Sequence, residues 1–166
     1  TLPSINRVIE LVWLEFNLPD QKVTRISWIP QPIGSFQSKK ISTAWKMYGN
    51  GRYADAQRTF EELAIQDPKL AQVHVGLGWS LFKQNNLDAA TRFFRKALKL
   101  NPGNPYALDG LGWTAFRHSN LIAAWDLFKT ARETVPLWAD PYTGMGWVSY
   151  MRGHYKLAQT QFEKSP

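Results

Sequence analysis

The stretch G-L-G-W occupies residues 76–79, and it returns as G-L-G-W at 110–113 and as G-M-G-W at 144–147. Each copy lies 34 residues after the one before, so the motif is one part of a longer repeat. An ungapped period of this length indicates stacked copies of one supersecondary unit. The units are 37–70, 71–104, 105–138 and a truncated fourth, 139–166.

Four positions recur in the units, counted from the first residue of each. Position 8 is small, position 20 is alanine, position 24 is phenylalanine, and position 32 is proline wherever the unit extends that far. In that order they are Ala44, Gly78, Gly112 and Gly146; Ala56, Ala90, Ala124 and Ala158; Phe60, Phe94, Phe128 and Phe162; and Pro68, Pro102 and Pro136. Apolar residues at positions 17, 20, 24 and 27 have helical spacing, and proline then ends that helix. The pattern predicts two helices in each unit.

The turn between the two helices is also predicted by residue type. Position 15 holds Gly51, Asn85, Ser119 and Gly153, and glycine and asparagine tolerate the left-handed conformation that ends a helix. Asn86 and Asn120 follow as expected N-caps of the second helix. Glycine at position 6 (Gly76, Gly110, Gly144) is expected to leave room for the indole three residues later, since helical side chains lean toward the N-terminus.

This pattern resembles the tetratricopeptide repeat family, which has small residues at positions 8 and 20, an aromatic near 24 and proline at 32. The resemblance covers 37–166, about four-fifths of the chain. It implies an all-α, right-handed superhelical solenoid of antiparallel helix pairs. It also implies a concave face lined by the first helix of each unit at positions 2, 5, 9, 12 and 13. The expected function is a non-enzymatic scaffold that binds a protein or peptide partner.

Aromatic side chains recur on the predicted first helices and form the candidate binding site. Position 9 is tryptophan and position 12 is aromatic in every unit, and these two positions share one helix face. Basic residues follow at position 13 in the middle units. The candidate residues are Trp45, Tyr48, Trp79, Phe82, Lys83, Trp113, Phe116, Arg117, Trp147 and Tyr150. The indoles either line a groove or pack against neighbouring first helices, because large aromatics are rarely left fully exposed.

An alternative ligand is a polysaccharide, because flat sugar faces stack on indoles. Some members of the family work in bacterial exopolysaccharide secretion, so the resemblance allows carbohydrate binding in an export or envelope assembly. Nucleic acid is not expected, although the net charge is +7, because the basic residues are scattered along the chain.

Catalysis, metals and cofactors have no support in the sequence. There are no cysteines, the three histidines fall at different repeat positions, and no catalytic motif is present. We therefore predict no enzyme and no cofactor. Asp109 and Asp140 are interpreted as surface residues.

The two ends of the chain depart from the repeat. Residues 1–36 form an N-terminal segment, predicted as a capping helix or a strand followed by a proline-containing linker or arm. The fourth unit stops inside or just after its second helix, so we expect a longer native chain or self-association through this end. No apolar run suggests a membrane span and no signal peptide is visible, which leaves a cytoplasmic or a periplasmic location open.

Overall fold

The computed structural model of the protein describes residues 35–135 and 139–165. In these ranges all regular structure is helical. The helices are α1 (Ser35–Gly49), α2 (Tyr53–Gln66), α3 (Ala71–Lys83), α4 (Leu87–Leu100), α5 (Pro105–Arg117), α6 (Leu121–Thr134), α7 (Asp140–Met151) and α8 (Tyr155–Glu163). The prediction of two helices per unit is confirmed.

The segment predicted for 1–36 lies outside the described residues, except for its last two residues, which begin α1. The capping helix and the linker predicted there are not described. Pro136 is also outside, whereas α2 and α4 end two residues before Pro68 and Pro102. This agrees with the restriction that proline places on the residue before it.

The turns between paired helices follow the sequence prediction. The residue at position 15 is left-handed in every unit, with φ of 77° at Gly51, 63° at Asn85, 60° at Ser119 and 77° at Gly153. The side chains of Asn86 and Asn120 accept hydrogen bonds from the backbone N–H groups of Ala89 and Ala123. The two predicted N-caps are therefore confirmed. Asn104, which the sequence reasoning missed, caps α5 in the same way through the N–H of Ala107.

The helices form two layers. Each second helix packs against the first helix of its own unit and, where a further unit follows, against the first helix of that unit. The first helices α1, α3, α5 and α7 also contact one another in sequence, whereas the described second helices do not. The first helices are therefore closer together, and they form the inner, concave layer of the solenoid.

The phenylalanine at position 24 fills the space between successive units. Phe60, Phe94 and Phe128 are fully buried. Phe94, for example, lies against α3 at Gly78 and against α5 at Gly110. A Cβ atom added at Gly78 would lie only 2.5 Å from the ring, and one at Gly110 would also overlap it.

The structure corrects the expected role of the glycine at position 6. The ring that it accommodates is the phenylalanine of the preceding unit, not the indole of its own helix. Gly76 meets Phe60, Gly110 meets Phe94, and Gly144 meets Phe128. The expectation failed because it considered contacts within one helix only, whereas this glycine faces a neighbouring unit.

Gly110→Ala is expected to lower the free energy of unfolding by up to about 2 kcal/mol. Overpacking of a filled core costs about 1–3 kcal/mol, and the gain in helix propensity offsets about 1 kcal/mol of it. Chemical denaturation measures the change.

Two further variants make this test specific. Gly49→Ala is the matched control, because no atom lies within 4 Å of the added Cβ and only the helix-propensity gain remains. Combining Gly110→Ala with Phe94→Leu should reduce the cost of the alanine, because the shorter side chain leaves room for it. An equal cost with phenylalanine and with leucine at position 94 would show that the ring is not the obstacle.

Ser119→Gly is expected to stabilise the protein by about 1 kcal/mol. Ser119 has a φ of 60°, and a non-glycine residue in this region carries a steric cost of about 1–2 kcal/mol. Part of the gain is lost because glycine makes the unfolded chain more flexible. Denaturation of Ser119→Ala, which keeps the Cβ, supplies the control and should show no gain.

Candidate binding groove on the concave face

A groove of about 830 Å³ runs along the inner helix layer. Its lining comes mostly from α1, α3, α5 and α7, one first helix from each of the four units. Most of these residues occupy positions 2, 5 and 9, which the resemblance assigns to the concave face. The lining residues are Ile41, Ser42, Trp45, Lys46, Tyr48, Gln72, Val75, Trp79, Asn104, Tyr106, Asp109, Trp113, Asp140 and Thr143.

Three of the repeated tryptophans, Trp45, Trp79 and Trp113, line the groove and are half-buried. Each indole meets the position-24 phenylalanine of its own unit edge-on, with ring centroids 5.2–5.4 Å apart. Each also meets the aromatic residue at position 12 edge-on, at 5.5–5.8 Å. The indoles are therefore part of the packing and part of the groove wall at once.

Of the position-12 aromatics, Tyr48 also lines the groove. Burial, with a smaller contribution from Tyr53, raises the pKa of Tyr48 to about 12. Its hydroxyl therefore keeps its proton at neutral pH and can donate a hydrogen bond.

Asp109 is buried with an exposed fraction of 2%, so its interpretation as a surface residue is wrong. Its Oδ1 atom has no hydrogen-bond partner. Burial is the main cause that raises the pKa of this carboxyl well above its usual value, and the charge of Asp140 adds to it. The Trp113 side chain acts in the opposite direction as a hydrogen-bond donor.

The repeat register contained a signal that would have predicted this burial. Asp109 takes position 5, which holds Ile41 in the first unit and Val75 in the second. Both are buried, with exposed fractions of 5% and 4%. Asp140 is exposed, as interpreted from the sequence.

The other candidate residues are not among those that line the groove. Phe82 and Phe116 are half-buried beside their tryptophans, and Lys83 is exposed. Arg117 lies over the Phe82 ring at 5.7 Å and donates a hydrogen bond to Asn85 Oδ1 at 2.6 Å. Arg117 therefore connects the second and third units.

Comparison with known families identifies the repeat. The family model described as "Tetratricopeptide repeat" matches residues 44–105 and 76–137, which together span more than half of the chain. The chain belongs to the tetratricopeptide repeat family. Comparison with curated protein sequences gives no significant match.

Solved structures resemble this tetratricopeptide solenoid in fold. The thermophilic TPR protein TTC0263 of Thermus thermophilus has a TM-score of 0.72 and 17% identity, over 78% of this chain and 72% of that one. PilF of Pseudomonas aeruginosa has a TM-score of 0.69 and 21% identity, over 78% of this chain and 59% of that one. MamA of Desulfovibrio magneticus RS-1 has a TM-score of 0.65 and 16% identity, over 78% of this chain and 73% of that one. These identities support the shared fold and nothing finer.

The fourth tetratricopeptide unit exposes large apolar side chains. Trp147, Tyr150 and Met151 on α7 are 45–60% exposed, and Tyr155 and Leu157 on α8 are 64% and 40% exposed. In the earlier units the corresponding tryptophans are half-buried. The self-association expected through this end stays a prediction.

The described part of the chain lacks two features. No helix there is both long and apolar enough to cross a membrane. No group of three or more histidine, cysteine or acidic residues is placed to hold a metal ion.

Asp109→Asn is expected to stabilise the protein increasingly as pH rises from about 4. The folded protein holds the Asp109 proton to a higher pH than the unfolded chain, whose aspartates have a pKa near 3.9. Stability therefore falls as pH rises from the unfolded pKa through the raised folded pKa. Asparagine carries no titrating proton, so the variant avoids this loss.

Thermal melts between about pH 3 and pH 8 test this prediction. The melting temperatures of the two proteins should be similar at the acid end and should diverge above it. Asp126→Asn, at an exposed site on α6, is the control for the change in net charge. A difference between Asp109→Asn and the unsubstituted protein that does not vary with pH would contradict the assignment.

Proposed function

We propose that this tetratricopeptide array is a non-enzymatic scaffold that binds an extended segment of a partner protein along its concave groove. The observation that carries the proposal is the continuity of the groove, which takes lining residues from the first helices of all four units. Ligand sites are typically concave and mostly apolar, with a few polar groups that fix orientation. This groove has that composition.

The dimensions of the groove suit an extended chain. Packed helices lie about 8–10 Å apart, and an extended peptide advances about 3.3 Å per residue. About three peptide residues therefore pass each unit, and a segment of about twelve residues spans the four units. Aromatic rings from successive units would contact side chains along its length.

Polar atoms in the groove suit a peptide backbone. The Gln72 Nε2 atom is buried without a hydrogen-bond partner, and so is Asp109 Oδ1. Leaving a buried donor or acceptor unpaired costs about 1–3 kcal/mol. A bound peptide presents both N–H and C=O groups, and it can satisfy these two atoms once the Gln72 and Asp109 side chains turn toward the groove, because both atoms are shielded from solvent.

The alternative ligand, a polysaccharide on the tryptophan ladder, is supported less by the geometry. Trp45, Trp79 and Trp113 are each half-buried and each hold two edge-on ring contacts. Less of each indole surface remains for a sugar than on a free-standing ring. Peptide and oligosaccharide binding are therefore compared directly in the test.

Ser42→Arg is expected to lower peptide affinity at least tenfold without changing the melting temperature. Ser42 is a half-buried residue of α1 that lines the groove, and arginine there would occupy the path of the ligand. Ligands come from a displayed library of random peptides of about twelve residues, selected on the full chain. Calorimetry of the selected peptides, and of a panel of soluble oligosaccharides, measures affinity.

Thr43→Arg is the matched control, because Thr43 is the next residue of α1, is exposed and does not line the groove. Its affinity for the peptides should equal that of the unsubstituted protein. Equal affinity in Ser42→Arg would place the peptides elsewhere on the surface. Binding of oligosaccharides, with no peptide selected, would favour the alternative ligand.

A further inference from the structure

We propose that Asp109, together with Asp140, forms a subsite in the groove that binds the lysine or arginine side chain of the partner segment. This inference rests on the proposed function and names the chemistry of its ligand. Asp109 belongs to α5 and Asp140 to α7, and both line the groove. The subsite therefore lies over the third and fourth units.

Burial of the Asp109 carboxyl is the first observation. Carboxylates are rarely buried unless they are paired, because transfer of a charge out of water is costly. Asp109 is 2% exposed, and its Oδ1 atom has no hydrogen-bond partner. The groove wall thus contains a solvent-shielded acceptor that the folded protein itself leaves unsatisfied, and a ligand reaches it when the Asp109 side chain turns toward the groove.

The charges around Asp109 are the second observation. Among the described residues that line the groove, the basic side chain is Lys46, which belongs to α1 in the first unit. The charge that acts on the Asp109 carboxyl is the like charge of Asp140. Asp140 is also the second cause, after burial, of the raised pKa of Tyr106. The end of the groove formed by the third and fourth units is therefore acidic, although the whole chain has a net charge of +7.

A basic side chain matches both observations. An ammonium or guanidinium group donates the missing hydrogen bond and also neutralises the charge that burial disfavours. The Trp113 side chain donates a hydrogen bond to Asp109, and the part of its half-buried indole that lines the groove is an apolar surface for the aliphatic stem of lysine or arginine. A neutral donor would satisfy Oδ1 and leave the charge uncompensated.

The test selects the displayed peptide library separately on the full chain and on its Asp109→Asn variant. Asparagine keeps the shape of the side chain and removes its charge. Peptides selected on the unsubstituted chain should be enriched in lysine or arginine, and those selected on Asp109→Asn should lose this enrichment. Asp126→Asn, an exposed site on the outer helix α6, should keep it.

One selected peptide is then compared with its copy in which norleucine replaces the basic residue. We expect norleucine to weaken binding to the unsubstituted chain about tenfold or more, the range of a charge-assisted hydrogen bond. The two peptides should bind Asp109→Asn with similar affinity. This double comparison isolates the contact between the basic residue and Asp109.

The possible failures are distinct. Selection of peptides without basic residues, or an equal norleucine effect in Asp109→Asn, would overturn the subsite and leave the peptide groove intact. Selection of no peptide at all would overturn both proposals. Loss of all binding in Asp109→Asn, for both peptides of the pair, would also overturn the subsite, because a cation-specific contact cannot account for it.

Discussion

The contact between the phenylalanine ring at position 24 and the bare backbone of two first helices is the constraint on which the structure depends. Phe94 lies against Gly78 of its own unit and Gly110 of the next, and Phe128 repeats this with Gly112 and Gly144. A Cβ added at any of these four glycines would overlap the ring, so the ring or the helix would have to shift. Position 8 of the first unit is the exception, with Ala44. One ring thus joins the two helices of a unit and joins that unit to the next.

The same contact forms the groove. Because the glycines let the first helices approach the ring closely, these helices contact one another and become the inner layer. Their position-9 indoles then pack edge-on against the phenylalanines and remain half-buried as the groove wall. The buried Asp109 carboxyl is the feature that packing does not require, because apolar residues fill position 5 in the first two units. A buried carboxyl with a raised pKa in a groove is a candidate for function.

Contacts within a unit were predictable from the sequence, whereas contacts between units were harder to predict. The helical pairs, the left-handed residues at position 15 and the caps at Asn86 and Asn120 depend on local rules of backbone and side-chain chemistry. The role of Gly110 was wrongly predicted because its partner, Phe94, belongs to the preceding unit. The burial of Asp109 is indicated by its repeat register but not by its charge. The sequence leaves open whether the indoles line a groove or pack in the core. In the structure they do both.

The measurement that tests the concave groove most directly is a two-dimensional ¹H–¹⁵N spectrum of the indole N–H groups during titration with a selected peptide. The indoles of Trp45, Trp79 and Trp113 line the groove, so their signals should shift and saturate together. Trp125 lies on α6 in the outer layer, and its signal should stay in place. Shifts confined to Trp125 or to Trp147 of the last unit, with the three groove signals unchanged, would contradict binding on the concave face.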